Sequence, residues 1–331
     1  MTAPAPPRSG APAWRWPAEA IWEAVAPQLP GFSVEVLPST DSTNTELMRR
    51  ARAGRCEPVL LVAERQTAGR GRLGRSWHSA GPQPAEPGQG EARGAGLPAL
   101  TFSLGLPLAP ADWSGLSLAV GVSVAESLQP QLPAPGSRTP RVGLKWPNDL
   151  WLEGGSATGA GTHRKLGGIL VETASMWGQP PGAGMDAGTG TAAGAGAAAL
   201  RYVVVGVGLN VQNPVLDPAV ALSVPPGSLQ ELALGGGEGG GETALDAPAA
   251  LLRVAAPLVA MLQAFEGYGF EPMQPRFDRR DVLRGRSVQL SDGSSGTAHG
   301  VGADGALLVL TAAGTLQAVT SSDISVRPGG R

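Results

Sequence analysis

The sequence predicts an α+β fold followed by a small all-β module. Up to about residue 280, stretches with apolar residues at helical spacing alternate with short apolar runs typical of buried strands. Beyond that point the pattern changes to short strands separated by glycine-containing turns. We therefore predict a larger domain over 14–280 and a smaller β domain over 281–331.

The first 280 residues contain helix and strand signals in mixed order. Helices are predicted over 18–25, from 41 to Gly54, from Asp112 to 124, and over 249–265 with a kink at Pro257. Strands are predicted over 33–37, 59–63, 99–106, 142–146, 150–152, 166–172 and 201–207. In the second helix, Thr43 and Glu46 have capping-box spacing. Gly54 is placed to end that helix.

The small β domain is predicted from four strands and three turns. The strands cover 287–290, 297–300, 306–311 and 315–320. Asp292-Gly293, Asp304-Gly305 and Ala313-Gly314 separate them, and such pairs favour the backbone of tight turns.

Glycine, proline and alanine accumulate in a few regions. The chain has 49 glycines and 31 prolines, well above ordinary usage. We expect a disordered lead over 1–13 and flexible insertions near 80–98, 154–163, 178–198 and 232–246. This clustering indicates insertions in a globular protein.

Composition also limits the class of protein. The net charge is −2, so the chain has no general attraction to nucleic acid or an anionic membrane. Cys56 is the only cysteine, which excludes an intrachain disulfide and fits a reducing compartment. We find no secretory signal and no run of about 18 apolar residues. We therefore expect a cytoplasmic protein that does not span a membrane.

The segment 64–78 (ERQTAGRGRLGRSWH) follows a predicted buried strand and alternates arginine with glycine. Glycine lets backbone amides approach a ligand, and arginine forks match carboxylate or phosphate oxygens. Its glycine spacing also fits the dinucleotide-binding fingerprint, but that motif needs an apolar helix directly after the glycines. Because Pro/Gly-rich sequence follows, we reject the dinucleotide site. The loop predicts a local anion-binding site.

Four motifs resemble those of biotin–protein ligases. In chain order they are the Gly/Arg loop at 69–75, Lys-Trp-Pro-Asn-Asp at 145–149, the Lys165 to Glu172 strand, and Gly-Val-Gly-Leu-Asn at 206–210. The sequence is identified as a member of that family, in a monofunctional bacterial form. Only residues 1–32 precede the first predicted strand, too few for the DNA-binding domain that some members carry.

The resemblance implies a fold and a reaction. The fold would be a mixed β-sheet with flanking helices, plus an SH3-like C-terminal β-barrel. The reaction would activate biotin with ATP and Mg²⁺ to biotinyl-5′-AMP and then transfer biotin to a lysine. The implied partner is the biotin carboxyl carrier protein domain of a carboxylase, with no nucleic acid or membrane partner. The protein itself would be a monomer or a homodimer.

The resemblance also assigns roles to residues. The biotin-binding set is Ser42, Thr43, Asn44, Gln66, Arg70, Gly71, Arg72 and Lys145. The nucleotide-binding set is Arg70, Arg72, Arg75, Trp77, Lys145, Asn148, Lys165 and Asn210. Lys145 and Arg72 are the predicted catalytic residues. We predict no metal-binding side chains, because the three histidines lack metal-ligand spacing.

Each assignment has a structural alternative. Residues 42–44 would also make a good helix start, and Asn148 a turn. Trp77 could be a core residue, Lys165 a surface lysine and Asn210 a strand-end cap. Two other functions also stay open. One is a lipoate– or octanoate–protein ligase of the same fold, and the other is a non-catalytic biotin-binding regulator.

Overall fold

The computed structural model describes residues 14–77, 97–134, 136–154, 163–176, 199–214, 224–233, 245–320 and 326–328. The lead predicted over 1–13 lies outside the described residues. The insertions predicted near 80–98, 154–163, 178–198 and 232–246 lie outside them wholly or for the greater part.

Helices and strands alternate irregularly through the first 280 residues. The helices are α1 Ala18–Val25, α2 Thr43–Arg52, α3 Leu116–Leu128, α4 Gln230–Ala233, α5 Ala247–Tyr268 and α6 Gln274–Asp278. The strands of this part are β1 Ser33–Leu37, β2 Val59–Ala63, β3 Ala99–Leu108, β4 Arg141–Lys145, β5 Asp149–Glu153, β6 His163–Ser175 and β7 Arg201–Asn210. The C-terminal strands are β8 Ser287–Leu290, β9 Ser295–Val301, β10 Leu307–Leu310, β11 Leu316–Val319 and β12 Val326–Pro328.

The larger sheet is mixed, as predicted. Its seven strands lie in the order β1-β2-β3-β7-β6-β5-β4. β1 and β2 are parallel, and every other neighbouring pair is antiparallel. The C-terminal strands form a separate antiparallel sheet in the order β11-β10-β9-β8-β12. Its turn glycines Gly293, Gly305 and Gly314 all have positive φ, which explains the Asp-Gly and Ala-Gly pairs.

The large sheet has an apolar core on both faces. On one face, Leu47, Met48 and Ala51 of α2 pack against apolar side chains of β2 and β7. On the other face, α1, α3 and α5 cover the alternate side chains of the same strands. As a result, the polar N-terminus of α2 lies on the opposite face of the sheet from α1, α3 and α5.

Two helices begin differently from the prediction. Ser42 caps α2, since its hydroxyl accepts a 3.5 Å hydrogen bond from the amide of Thr45. Glu46 forms ion pairs with Arg49 and Arg50 instead of returning to the cap. Helix α3 begins after Gly115, whose φ is +75°, and not at Asp112. The predicted capping box and the predicted start of the third helix at Asp112 were therefore wrong.

Helix α5 runs continuously through Pro257 and is longer than predicted. It is the one helix in the described part of the chain that is long and apolar enough to cross a membrane, and about half of it is buried in the fold. Its buried side chains pack against α3, α1 and β3. We interpret α5 as a core helix, because burial at helical spacing accounts for its apolar residues.

His163 was predicted to lie in a flexible insertion, and the structure instead places it at the first position of β6. It pairs with Glu153 of β5, and its ring lies 5.5 Å from the ring of Trp151. Burial and the neighbouring arginines Arg286 and Arg164 lower the pKa of His163. The ring is therefore neutral near pH 7 and serves packing between strands.

The segment joining the two sheets contains a buried carboxyl group. Asp281 is 8% exposed, and its Oδ1 accepts a hydrogen bond from the amide of Leu283. Its Oδ2 has no hydrogen-bond partner among the described residues. Burial raises the pKa of Asp281 to about 6, with the charge of Asp278 adding to the effect.

We expect the substitution Asp281→Asn to stabilise the protein at neutral pH. Because the folded state binds the proton more tightly than the unfolded state, ionisation of Asp281 lowers stability as the pH rises from about 4 to 6. The variant should gain about 1–3 kcal/mol in free energy of unfolding at pH 7.5, and progressively less as the pH falls towards 4. Urea unfolding across this pH range measures the gain. The exposed Asp292→Asn is the control and should show no such pH-dependent gain.

Candidate active site

A row of paired residues crosses all seven strands on the face that carries α2. From edge to edge the row consists of Leu37, Ala63, Thr101, Gly208, Gly168, Asp149 and Lys145. Directly paired residues project from the same side of a sheet. The row therefore begins apolar, becomes small at the two glycines in the middle, and ends with a carboxylate and an ammonium group.

The two glycines of this row lie under the indole of Trp77. A Cβ atom added at Gly208 would lie 2.6 Å from Trp77 Cε2, and one at Gly168 would lie 3.8 Å from Trp77 Cζ3. The same position at Gly168 is 3.8 Å from both Lys165 Nζ and Asp149 Oδ1. The absence of side chains at the two glycines thus lets the Gly/Arg loop approach the charged end of the row.

A buried polar network lies beside the row, beneath the start of α2. Gln66 Oε1 accepts hydrogen bonds from the amide (2.8 Å) and hydroxyl (3.2 Å) of Thr43. The hydroxyl of Ser103 lies 2.7 Å from that of Thr43 and 2.6 Å from Asn44 Oδ1. The network joins α2, β3 and the first residues of the loop, and so fixes their relative positions.

Asn44 is held in this network by all its polar atoms. Its amide nitrogen donates to the carbonyl of Leu170 (3.2 Å) and to Glu172 Oε2 (2.9 Å), while its oxygen faces Ser103. A Cβ atom at Gly206 would lie only 2.1 Å from Asn44 Oδ1. Because both of its amide hydrogens are engaged, Asn44 has a structural role in the polar network.

The Gly/Arg loop folds back on itself over Gln66. The amide of Gly71 donates to the carbonyl of Arg75 (2.7 Å), and that of Trp77 donates to the carbonyl of Gly69 (2.9 Å). A Cβ atom at Gly69 would lie 3.1 Å from Gln66 Nε2 and 2.5 Å from the carbonyl oxygen of Trp77. The loop therefore connects the polar network at its start with the pair Gly208 and Gly168 at its end. We call these two residues the glycine floor.

The side chains of the loop differ in exposure. Arg70 and Arg75 are exposed, whereas Arg72 is half-buried. Leu73, at the tip, is 57% exposed and is the one non-glycine residue of the described ranges with positive φ. The indole nitrogen of Trp77 is buried with no hydrogen-bond partner among the described residues. A buried donor of this kind is available to a ligand.

The charged end of the row, Asp149 and Lys145, has the ammonium group of Lys165 beside it. Lys165 Nζ lies 2.6 Å from Asp149 Oδ1, and Lys145 Nζ lies 3.8 Å from Asp149 Oδ2 and 5.4 Å from the ring centre of Trp151. Of the 25 lysine and arginine residues in the chain, only these two are lysines. Two ammonium groups beside one carboxylate leave a local excess of positive charge, which favours an anionic ligand.

Two predicted nucleotide-binding residues have structural partners instead. Asn148 Nδ2 donates to the carbonyl of Ile169 (2.7 Å), which fixes the turn between β4 and β5 to β6. Asn210 Nδ2 donates to the carbonyls of Lys165 (3.1 Å) and Gly227 (3.0 Å). These bonds favour the turn and strand-end roles weighed as alternatives. The other predicted site residues thus lie around the loop and the row. Asn148 and Asn210 hold backbone segments beside them.

Sequence reasoning missed Ser103 and Trp151, and it placed Glu172 in a motif without predicting its contact with Asn44. For Ser103 a signal was present, because small or polar residues alternate with large apolar ones along β3. Thr101, Ser103 and Gly105 occupy one face, while the intervening leucine and phenylalanine side chains belong to the core on the other. The contact of Glu172 gave no such signal, since its partner Asn44 is 128 residues away, and the contact of Trp151 with Lys145 depends on the hairpin of β4 and β5.

Two family descriptions match the chain, and a relative extends over most of it. "Biotin/lipoate A/B protein ligase family" matches residues 36–83, and "Biotin protein ligase C terminal domain" matches residues 285–327. The bifunctional ligase/repressor BirA of Escherichia coli is 32% identical over 305 residues, which are 91% of this chain and 76% of that protein. The chain belongs to the biotin–protein ligase family.

Other biotin–protein ligases agree with this placement. The biotin–[acetyl-CoA-carboxylase] ligase of Mycobacterium tuberculosis is 35% identical over 182 residues, 54% of this chain and 49% of that protein. The Paracoccus denitrificans ligase of the same name is 29% identical over 84% of this chain and 95% of its own length. The structure of biotin protein ligase from Aquifex aeolicus in complex with biotin and ATP has a TM-score of 0.59 at 23% identity, covering 91% and 100% of the two chains. That likeness confirms the predicted biotin–protein ligase fold.

Proposed function

We propose that the chain is an ATP-dependent biotin–protein ligase that forms biotinyl-5′-AMP and transfers biotin to a carrier protein. The observation that carries this proposal is the cross-sheet row, where the Gly/Arg loop and both lysines of the chain lie next to the glycine floor. A network of hydroxyl and amide groups, a floor without side chains and a cationic end follow one another along this face. That order suits a ligand with a polar ring at one end and a carboxylate at the other.

In the first step, a carboxylate oxygen of biotin attacks the α-phosphorus of ATP, and pyrophosphate leaves. Both reactants are anionic, so the site must offset their repulsion and stabilise the charge that develops on the phosphoryl oxygens. Lys145 supplies an ammonium group at the end of the row, and Arg72 supplies a guanidinium from the loop. Arg70 and Arg75, which are exposed on the same loop, are suited to the remaining phosphate oxygens.

In the second step, the lysine amine of the acceptor attacks the carbonyl carbon of the mixed anhydride, and AMP leaves. The loop over the glycine floor restricts access of water to the anhydride. The acceptor we propose is the biotin carboxyl carrier domain of a carboxylase, in the cytoplasm. We propose no nucleic acid partner.

ATP reacts as its Mg²⁺ complex, and we propose the same here. Mg²⁺ keeps several waters and is usually held by substrate phosphates together with one or two carboxylates. Asp149 is the carboxylate of the row, and the described ranges contain no group of three or more His, Cys, Asp or Glu side chains placed to bind a metal. Bound Mg²⁺ would add positive charge at the phosphates.

A lipoate– or octanoate–protein ligase is the second candidate, since one of the matching families also includes lipoate ligases. The Gly/Arg loop favours biotin over a simple fatty acyl chain, because it is linked through Gln66 to a polar network suited to a hydrogen-bonding ring. A non-catalytic regulator is the third candidate, and it would bind biotin without forming the adenylate.

ATP–pyrophosphate exchange distinguishes the three functions. Purified protein with Mg²⁺ and labelled pyrophosphate is supplied with biotin, lipoate or octanoate in separate reactions. We expect exchange that depends on biotin alone. Exchange with lipoate or octanoate would favour the second candidate. Biotin binding by folded protein without exchange would overturn the enzyme assignment.

A further inference from the structure

The C-terminal β domain contacts the segment that carries Lys145 through a buried tryptophan. Trp146 is 1% exposed, and its indole nitrogen donates a 3.0 Å hydrogen bond to the backbone carbonyl of Gly305. Gly305 belongs to the Asp-Gly turn between β9 and β10, 159 residues further along the chain. The residue directly after the lysine is therefore bonded to the small domain.

The turn that presents this carbonyl is itself fixed. The side chain of Asp304 accepts a 3.0 Å hydrogen bond from the amide of Ala306, and the amide of Gly305 donates to the carbonyl of Gly302 (2.9 Å). On its other side the turn contacts the start of α3, where a Cβ atom at Gly305 would lie 2.6 Å from Gly115 Cα. The turn of the small domain, and with it the carbonyl oxygen, is thus held against two parts of the larger domain.

The segment that joins the two domains, residues 280–282, is hydrogen-bonded to the free edge of β4. The amide of Leu144 donates to the carbonyl of Arg280 (2.7 Å), and the amide of Val282 donates to the carbonyl of Leu144 (3.0 Å). The Arg280 guanidinium, buried with its residue 2% exposed, donates to the carbonyl of Val142 (2.9 Å). Residues 142, 144 and 146 are all bonded to the C-terminal part of the chain, and Lys145 lies among them.

We propose that Trp146 is a positioning residue, whose hydrogen bond to Gly305 makes the C-terminal domain set the location of Lys145. This inference rests on the proposed function, because it assigns Lys145 to biotin adenylation. Lys145 is the last residue of β4, which is an edge strand and has β5 as its one neighbour in the large sheet. Loss of the bond would let the turn after Lys145 shift relative to the substrates, and a displacement of about 1 Å at a reacting group lowers rates by up to about 10²-fold.

The first test is the substitution Trp146→Phe, which keeps an aromatic ring and removes the indole donor. We expect the single-turnover rate of biotinyl-adenylate formation to fall by about tenfold or more, with the Kd for biotin changed by less than about twofold. The matched control is Trp22→Phe, since the Trp22 indole also donates to a backbone carbonyl, that of Phe32, but lies on α1. A rate for Trp146→Phe equal to that of the control would overturn the proposal.

A double substitution tests whether Trp146 acts through the lysine. In a Lys145→Ala background, Trp146→Phe should cause less than about a twofold further loss, because residues that act as one unit are non-additive. A further loss as large as in the wild-type background would overturn the proposal. Failure of the wild-type protein to form biotinyl-adenylate would instead overturn the proposed function.

A surface variant covers the case in which Trp146→Phe does not fold. Asp304 is exposed, so Asp304→Ala removes only the side-chain acceptor that fixes the Gly305 turn. We expect a smaller loss of adenylation rate, about threefold, again with an unchanged Kd for biotin. Asp292→Ala removes the equivalent acceptor for Ser294 in the neighbouring β8–β9 turn and should leave the rate unchanged. Equal rates for the two aspartate variants would overturn the proposal.

Discussion

Replacing Lys145 with alanine is expected to lower the rate of biotinyl-adenylate formation by about 10²–10³-fold. The ammonium group is the charged end of the cross-sheet row, and it is needed when charge develops on the phosphoryl oxygens. The fold should tolerate the change, because Asp149 keeps Lys165 as a partner at 2.6 Å and no buried charge loses its only counter-ion. Single-turnover formation of the adenylate measures the loss.

The conservative variant makes this prediction sharper. The chain uses arginine almost everywhere else, so lysine at this position points to a need for a compact ammonium group. A guanidinium is larger and planar and has a different hydrogen-bonding geometry. We therefore expect Lys145→Arg to recover only a small part of the activity. The exposed Arg52→Ala on α2 is the control for loss of a positive charge elsewhere. An adenylation rate of Lys145→Ala within about threefold of wild type would contradict a catalytic role.

The strands were predicted well because their signal is local. β1 and β2 have the predicted bounds, since both are short apolar or alternating runs limited by polar residues. The α2 cap was harder to predict, because Asp41, Ser42 and Thr43 are all good capping residues in succession. The ion pairs of Glu46 with Arg49 and Arg50 removed the reciprocal half of the expected capping box.

The motifs named the residues of the candidate site, but they could not predict how those residues are arranged. The motifs identified which residues would gather, yet the row from Thr101 to Lys145 depends on the register of five strands. Register is set by turns and by packing across the whole sheet, and a one-residue slip would turn every side chain to the other face. For the same reason, the amide of Asn44 could not be assigned to Glu172, 128 residues away, from spacing alone.

The substitution Gly206→Ala is expected to damage both the fold and biotin binding. β7 is bonded on both sides, with Gly206 paired to Ser103 of β3 and to Leu170 of β6, so its backbone cannot move away from the added methyl group. That methyl group would lie 2.1 Å from Asn44 Oδ1. Either Asn44 leaves its buried hydrogen bonds or the start of α2 lifts from the sheet. We expect a loss of about 2–4 kcal/mol in free energy of unfolding, combining overpacking with unsatisfied buried polar groups.

Biotin binding should weaken in the same variant, by about tenfold or more in Kd, because Thr43 and Gln66 share the network with Asn44. Urea unfolding and calorimetric titration with biotin measure the two effects. Gly267→Ala, where a Cβ atom meets nothing within 4 Å in helix α5, is the control and should raise stability by about 0.5–1 kcal/mol.

A double-mutant cycle identifies the cause. If the added methyl group acts by colliding with Asn44, then Gly206→Ala should cost much less stability in an Asn44→Ala background, because the shorter side chain leaves room for it. Equal costs in both backgrounds would show that the sheet itself rejects the methyl group. In that case the polar network would not be the element through which Gly206 affects the site.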